Sequence, residues 1–155
     1  MDSIITSDKK GSYDRIPRSF RDSISKAGPF TPESGRYHLY VSYACPWAHR
    51  TLIYRELKGL QDHISVSVVH PDMMDQGWTF ETNFPNTTGD DLYHLSHLFE
   101  IYQKAKTDVS TSVTVPVLWD KKHQTIVNNE SSELIRFFNQ EFDEMTGNKE
   151  DYYPE

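Results

Sequence analysis

Cys45 is the residue with the clearest chemical potential, and it is the chain's single cysteine. It follows a run typical of a strand and precedes a run typical of a helix, so we expect its sulfur to lie over the first free backbone N–H groups of that helix. The positive end of the helix dipole favours a thiolate there, which is the reactive form of cysteine. Pro46 suits the first helical turn, and His49 and Arg50, one turn on, add positive charge. The pattern predicts nucleophilic sulfur chemistry.

Two other interpretations of Cys45 stand beside this one. An inert buried cysteine is the commoner fate of a lone cysteine. A metal site built on Cys45 and His49, at i and i+4, lacks its remaining ligands, so we predict no metal. A single cysteine also excludes an intrachain disulfide and favours a reducing compartment, here the cytoplasm.

Two further segments could bind a ligand beside the cysteine. The run Thr-Val-Pro-Val at residues 114–117 looks like the residue-proline pair of thioredoxin-like folds, in which a cis proline turns the preceding backbone outward to pair with an extended peptide. At residues 129–131, another helix start, N–H groups and a hydroxyl suit a ligand carboxylate, while Glu130 suits an ammonium group. Glutathione offers that pair of groups. Plain helix capping by Glu130 and Ser131 explains the same residues equally well.

The elements that must position these residues alternate between strands and helices. Hydrophobic periodicity predicts strands at 37–42, 64–68, 113–119 and 124–127, and helices at 47–60, 92–102 and 131–142. The order β-α-β-α-β-β-α is typical of an α/β, thioredoxin-like fold, a small mixed sheet with helices on both faces. The irregular stretch between Asp72 and Asp90, which contains Trp78, is a candidate functional loop.

The chain divides into three predicted parts. Residues 1–34 are rich in Ser, Lys, Arg, Gly and Pro and predict an irregular N-terminal extension outside the core. Residues 35–143 form the thioredoxin-like domain, and residues 144–155 an acidic tail that we expect to be loose. The chain is too short for two full domains, so the thioredoxin-like domain is the one full domain that we predict.

Composition limits the partners. The 155 residues are 36% hydrophobic and 25% charged, with a formal net charge of −7. This charge repels a phosphate backbone and disfavours nucleic acid and anionic membranes as partners. Neither an apolar segment long enough to span a membrane nor a secretory leader is visible in the sequence. We therefore expect a protein that stays in the cytoplasm and acts on small molecules.

Five motifs occur in combination: Gly-Arg-Tyr at 35–37, Cys-Pro-Trp-Ala-His-Arg-Thr-Leu at 45–52, Gly-Trp-Thr-Phe at 77–80, Thr-Val-Pro-Val-Leu-Trp-Asp at 114–120 and Ile-Val-Asn-Asn-Glu-Ser-Ser at 126–132. Together they resemble the xi-class glutathione transferases, also called glutathionyl-hydroquinone reductases and related to the fungal omega-like enzymes. The resemblance covers roughly residues 35–143, the N-terminal thioredoxin-like domain of that family.

The resemblance implies a role for each site residue. Cys45 is the nucleophile that takes the glutathionyl group from a glutathionylated hydroquinone and holds it as a mixed disulfide, which a second glutathione then resolves. Trp78 packs its ring against glutathione, Val115 pairs its backbone with the cysteinyl unit, and Glu130 and Ser131 hold the γ-glutamyl end. Glutathione is thus the implied co-substrate, S-glutathionyl small molecules are the implied partners, and a homodimer is one expected assembly.

Two departures from the family keep other functions open. Ser112 stands near the Val115-Pro116 junction, where many members carry a basic residue. The all-helical C-terminal domain of the family, which supplies the hydroquinone pocket, is expected to be absent, leaving an exposed apolar patch. The alternatives are a non-catalytic glutathione-binding remnant and an omega-like deglutathionylase or dehydroascorbate reductase that uses the same cysteine.

Overall fold

The computed structural model describes residues 19–107 and 111–155, together with the backbone of two short strands near the N-terminus. The elements follow in the order β1 (Ile5–Ser7), β2 (Tyr13–Arg15), β3 (Tyr37–Val41), α1 (Pro46–Leu57), β4 (Ser65–Val68), α2 (Leu98–Ala105), β5 (Val117–Asp120), β6 (Thr125–Asn128), α3 (Ser131–Gln140) and α4 (Asp143–Thr146). From β3 to α3 this is the predicted β-α-β-α-β-β-α order. Within the described ranges, no helix combines the length and the apolar character needed to cross a membrane.

A mixed four-stranded sheet forms the centre of the fold, in the order β4-β3-β5-β6. β3 runs parallel to β4 and antiparallel to β5, and β5 runs antiparallel to β6. Tyr40, near the end of β3, pairs with Val117 at the start of β5, and Asn128 at the end of β6 pairs with Leu118. The end of β3, the start of β5 and the end of β6 therefore lie at the same end of the sheet. The segments around Cys45, Pro116 and Glu130 all leave the sheet at that end.

The predicted strand at 113–119 is shorter in the structure, where β5 starts at Val117. Pro116 lacks a backbone N–H and cannot donate to the sheet ladder. Both backbone groups of Thr114 instead bond the Tyr102 hydroxyl, which donates to the Thr114 carbonyl (2.7 Å) and accepts from its N–H (3.2 Å). The segment before Pro116 is thus attached to α2 and is not part of the sheet.

The second helix begins later than the sequence predicts, at Leu98 and not at Leu92. The buried carboxylate of Asp90 accepts hydrogen bonds from the backbone N–H groups of Leu92 (3.0 Å) and Leu95 (3.2 Å). His94 adopts a left-handed φ of 56°, which a helix cannot accommodate. The apolar spacing is present, but Asp90 caps only a single turn, because the left-handed backbone of His94 ends that turn before a helix can continue.

The prediction of an N-terminal extension outside the core is wrong for its described part. Phe20, Ile24 and Phe30 are 9%, 1% and 7% exposed and belong to the hydrophobic core. The backbone N–H of Asp22 donates to the carbonyl of Val127 in β6 at 3.0 Å. Phe20 and Ile24 have a helical spacing, but Pro17 and Gly28-Pro29 interrupt the run before it reaches helical length, so periodicity gives no clear indication that these residues are buried. Residues 1–4, 8–12 and 16–18 of the predicted extension lie outside the described residues.

The acidic tail, predicted to be loose, is bonded to the helices. The Nδ2 of Asn139 in α3 donates to Asp151 Oδ1 (2.8 Å), and its Oδ1 accepts from the N–H of Tyr152 (2.9 Å). The buried side chain of Lys58, just after α1, donates to the backbone carbonyl of Glu150. A polar composition indicated disorder here, but specific hydrogen bonds order the segment.

We expect the folding stability of this protein to fall at acidic pH because of His38, a buried histidine in β3. Its Nδ1 lies 2.6 Å from Ser65 Oγ and its Nε2 lies 2.7 Å from Ser67 Oγ. Burial lowers the pKa of His38 from 6.5 to about 4, so between these values the unfolded chain binds a proton that the folded chain does not. Stability must therefore fall as the pH falls from 6.5 to about 4, by about 3 kcal/mol.

Urea unfolding at several pH values between 7 and 4 measures this loss. His38→Asn is expected to flatten the dependence above about pH 4.5, while His49→Asn, at an exposed position, keeps the wild-type slope. A wild-type free energy of unfolding that stays constant from pH 6.5 to 4.5 would contradict the prediction.

Candidate active site around Cys45

Cys45 caps the N-terminus of α1 in an extended conformation, with φ −103° and ψ 114°. Its carbonyl accepts the N–H of His49 at 3.0 Å, the first bond of the helix, and Pro46 follows at the first helical position. The side chain is partly exposed, and its Sγ lies 3.9 Å from the carbonyl oxygen of Val115. The predicted strand-cysteine-helix arrangement is therefore present, and the sulfur is neither deeply buried nor distant from the proline loop.

The proline loop lies directly against the cysteine. The peptide bond between Val115 and Pro116 is cis, and Val115 is 4% exposed. The hydroxyl of Tyr102, which bonds both backbone groups of Thr114, also accepts a hydrogen bond from Asn129 Nδ2 at 2.9 Å. One buried tyrosine on α2 thereby connects the proline loop to the residue that precedes Glu130. The apolar periodicity predicts Tyr102 only as the last residue of the helix at 92–102.

The start of α3 forms the third part of the site. Glu130 is the N-cap, and its carboxylate accepts from the backbone N–H (3.5 Å) and the hydroxyl (3.3 Å) of Ser132. The N–H of Glu130 donates to Asn128 Oδ1 at 2.6 Å. Ser131 is the first residue of the helix and is 3% exposed. The helix-capping interpretation is thus confirmed for Glu130, and ligand binding by Glu130 and Ser131 stays a prediction.

Arg50 joins α1 to α3, a contact that the sequence pattern did not predict. Its Nε and Nη2 both donate to the hydroxyl oxygen of Ser131, at 2.9 and 2.7 Å. The guanidinium carbon lies 5.2 Å from the ring centroid of Trp47, a cation-π geometry. The sequence pattern predicts Arg50 as a positive charge near the sulfur. The structure directs this charge to the neighbouring helix N-terminus.

A small depression of about 60 Å³ lies between these elements, lined by Trp47, Arg50, Val115, Pro116, Asn129, Glu130 and Ser131. Both the proline loop and the start of α3 contribute to it, so the structure brings together four of the five predicted site residues: Cys45 through its contact with Val115, and Val115, Glu130 and Ser131 directly. Its wall carries a carboxylate, a guanidinium and a hydroxyl. These groups suit a zwitterionic ligand.

Trp78, the fifth predicted site residue, lies in the loop before α2. It is half-buried against the core, and its carbonyl accepts the N–H of Leu98 at 3.0 Å, at the start of α2. The next residue, Thr79, forms an isolated bridge with His97. Trp78 is not among the residues that line the depression. Packing of its ring against a ligand therefore stays a prediction.

Among the residues that the structure covers, no group of three or more His, Cys, Asp and Glu side chains could hold a metal ion.

Large apolar side chains are exposed on α1 and just before it, namely Tyr43, Trp47, Ile53 and Leu57. The residues that α1 buries are the small Ala48 and Thr51. Exposed apolar side chains are therefore present on this helix, and the predicted patch formed from them stays a prediction.

Comparison with known proteins gives one consistent result. The family described as "Glutathione S-transferase, N-terminal domain" matches residues 44–141. The glutathionyl-hydroquinone reductase YqjG of Escherichia coli (strain K12) is 52% identical over 152 residues, which cover 93% of this chain and 46% of that protein. The crystal structure of the glutathione-S-transferase Xi from Phanerochaete chrysosporium has a TM-score of 0.90 and 52% identity, covering 97% of this chain and 49% of that one.

A glutathione-bound structure of YqjG has a TM-score of 0.84 and 53% identity, with coverage of 90% of this chain and 48% of that one. In each case the present chain spans about half the length of the relatives that it matches. The thioredoxin-like fold and the predicted resemblance are thereby confirmed for the part of the relatives that the chain covers.

Proposed function

Because this chain belongs to the glutathione S-transferase family and matches its Xi class, we propose that it is a glutathione-dependent thiol reductase that acts on glutathionyl-hydroquinones or similar S-glutathionyl conjugates. The observation that carries the proposal is the position of Cys45. Its partly exposed sulfur stands at the N-terminus of α1, 3.9 Å from the Val115 carbonyl and next to the polar depression at the start of α3.

The binding step follows from the geometry of the three segments. The γ-glutamyl end of glutathione carries an ammonium and a carboxylate, which fit Glu130 and the N-terminus of α3 with Ser131. The cysteinyl unit then lies along the backbone of Val115, which brings its sulfur toward Cys45. Trp78 covers the bound tripeptide from the loop before α2 in this proposal. The carboxylate of Glu130 is already oriented by Ser132.

The chemical step is a thiol-disulfide type of transfer in which atoms and electrons balance. The Cys45 thiolate attacks the glutathione sulfur of the conjugate, a sulfur-sulfur bond forms, and the bond between that sulfur and the hydroquinone ring breaks. The electron pair passes to the ring carbon, which takes a proton, and hydroquinone leaves. The thiolate of a second glutathione then attacks the mixed disulfide, yielding oxidised glutathione and restoring Cys45. One protein cysteine suffices because the resolving thiol comes from solution.

We also propose a compartment, a class of partner and an assembly for this protein. Reduced glutathione is available in a reducing compartment, and a chain with one cysteine is suited to it, which favours the cytoplasm. A net charge of −7 does not favour nucleic acid or anionic membranes as partners. The exposed apolar residues of α1 favour a homodimer as the assembly.

Intact-mass measurement of the full chain tests the function. Mixed with a glutathionyl-hydroquinone, the reduced protein is expected to gain one glutathione and to release one equivalent of hydroquinone, with turnover when glutathione is added. Since the chain has a single cysteine, protein alkylated with iodoacetamide provides a site-specific control that should gain nothing. An unmodified wild-type protein, or an adduct that glutathione cannot discharge, would refute the catalytic proposal and leave at most a glutathione-binding domain.

A further inference from the structure

The geometry points to Arg50 as a positioning residue that makes the Ser131 hydroxyl a hydrogen-bond donor, so that the N-terminus of α3 selects a carboxylate. This inference rests on the proposed function, in which the γ-glutamyl carboxylate of glutathione lies at Ser131. Arg50 acts here through Ser131 and does not itself contact the reacting sulfur.

A serine hydroxyl has two lone pairs and one hydrogen, which point in different directions. Nε and Nη2 of Arg50 both donate to Ser131 Oγ, at 2.9 and 2.7 Å. Because both donors belong to one edge of the guanidinium, they approach the oxygen from the same side, and the hydroxyl hydrogen must point away from them. Ser131 lines the depression, so its O–H is available there to an acceptor on the ligand.

The chemistry of the guanidinium fixes the direction of its hydrogen bonds to Ser131. A guanidinium has no acceptor and stays protonated in proteins, so its bonds to Ser131 cannot reverse direction. The guanidinium carbon lies 5.2 Å from the centroid of the Trp47 indole ring, a contact that helps to hold it in place. Ser131 is 3% exposed and is fixed at the first position of α3. Both partners therefore hold their orientation before a ligand arrives.

The charges around the depression indicate which ligand group fits there. Beside the Ser131 donor, the depression holds the positive end of the α3 dipole and the guanidinium of Arg50, which all favour an anion. Glu130, on the same wall, favours a cation. An α-amino acid group, with adjacent carboxylate and ammonium, satisfies both. In glutathione only the γ-glutamyl end has this pair, because the glycyl carboxylate has no neighbouring amine.

Calorimetric binding of two reduced peptides to the full chain tests the inference. The first peptide is glutathione, and the second is 4-aminobutanoyl-cysteinyl-glycine, which lacks the γ-glutamyl carboxylate. Arg50→Met is expected to weaken glutathione binding about tenfold, since a charge-assisted hydrogen bond is worth about one decade or more in affinity. Binding of the second peptide should change less than about twofold. Arg50→Lys should be intermediate, because an ammonium keeps the charge but not the paired donors.

Ser131→Ala provides the matched variant, because it removes the hydroxyl and keeps Arg50. It should give the same selective loss, and in the Arg50→Met background it should add little, since the two residues act as one unit. Equal weakening of both peptides by Arg50→Met would show a merely structural role and overturn the inference. So would unchanged glutathione binding by that variant. A wild-type chain that binds no glutathione would instead overturn the proposed function, and the inference with it.

Discussion

Replacing Cys45 with serine is expected to reduce turnover of a glutathionyl-hydroquinone by about 1,000-fold or more, equivalent to at least about 4 kcal/mol of transition-state stabilisation. A hydroxyl is far less ionised than a thiol near neutral pH and cannot form the mixed disulfide that the mechanism requires. The substitution changes one atom on a partly exposed side chain whose Sγ lies at 3.9 Å from the Val115 carbonyl. We therefore expect the fold and the thermal stability to be nearly unchanged.

Steady-state release of hydroquinone, measured together with glutathione affinity, separates chemistry from binding. Cys45→Ser should bind glutathione within about twofold of the wild type, because Val115, Glu130 and Ser131 remain in place. Glu56→Gln, at an exposed position near the C-terminal end of α1, should retain most of the turnover and controls for nonspecific effects on that helix. Comparable turnover in the serine variant would show that Cys45 is not the nucleophile.

The sequence predicts most of what positions this cysteine, because a strand followed by a proline-capped helix is a local pattern. Strand β3 and helix α1 begin within a residue or so of their predicted positions. The α1 helix ends at Leu57, before the predicted Leu60, since Gly59 takes a left-handed φ of 68°. Local chemistry of this kind can be inferred from one chain segment alone.

Long-range contacts are what the sequence could not predict. The bonds of Arg50 to Ser131 join residues from different helices, and those of Tyr102 reach both Thr114 and Asn129. Periodicity identifies which face of a helix is apolar, but it does not identify the partner of a polar side chain. The same reason explains why the burial of Phe20 in the N-terminal region was missed, since its neighbours in the core come from distant elements.

Asp120→Asn is expected to lower the free energy of unfolding by about 3–5 kcal/mol, the range for breaking a buried ion pair by removing one partner. Arg36 Nε and Nη2 donate to the two carboxylate oxygens of Asp120, each at 2.9 Å, and both side chains are buried. Burial by itself raises the pKa of Asp120, but hydrogen bonds from Arg36 and from the backbone of Lys122 and His123 outweigh it and lower the pKa. The ionised form is therefore the stable one in the fold.

The asparagine variant retains the shape of Asp120 but places an amide N–H₂ against one of the guanidinium donors and leaves the buried Arg36 without its main counter-charge. Thermal unfolding should shift downward by roughly 10 °C, given about 2–4 °C per kcal/mol for a domain of this size. The exposed pair of Lys26 and Glu144 offers a control, since Lys26→Ala should leave the midpoint close to wild type. A midpoint of the Asp120→Asn variant within about 2 °C of wild type would contradict the prediction.

The position of this ion pair separates its role from that of the active site. Asp120 pairs with Tyr37 at one end of the β3–β5 ladder, whereas Tyr40 and Val117, which lead to Cys45 and the proline loop, pair at the other end. Loss of the ion pair should therefore destabilise the sheet without moving the site while the chain remains folded. At temperatures well below its midpoint, the Asp120→Asn variant is expected to bind glutathione within about twofold of the wild type. A large loss of affinity in the folded variant would instead show that the two ends of the ladder are coupled.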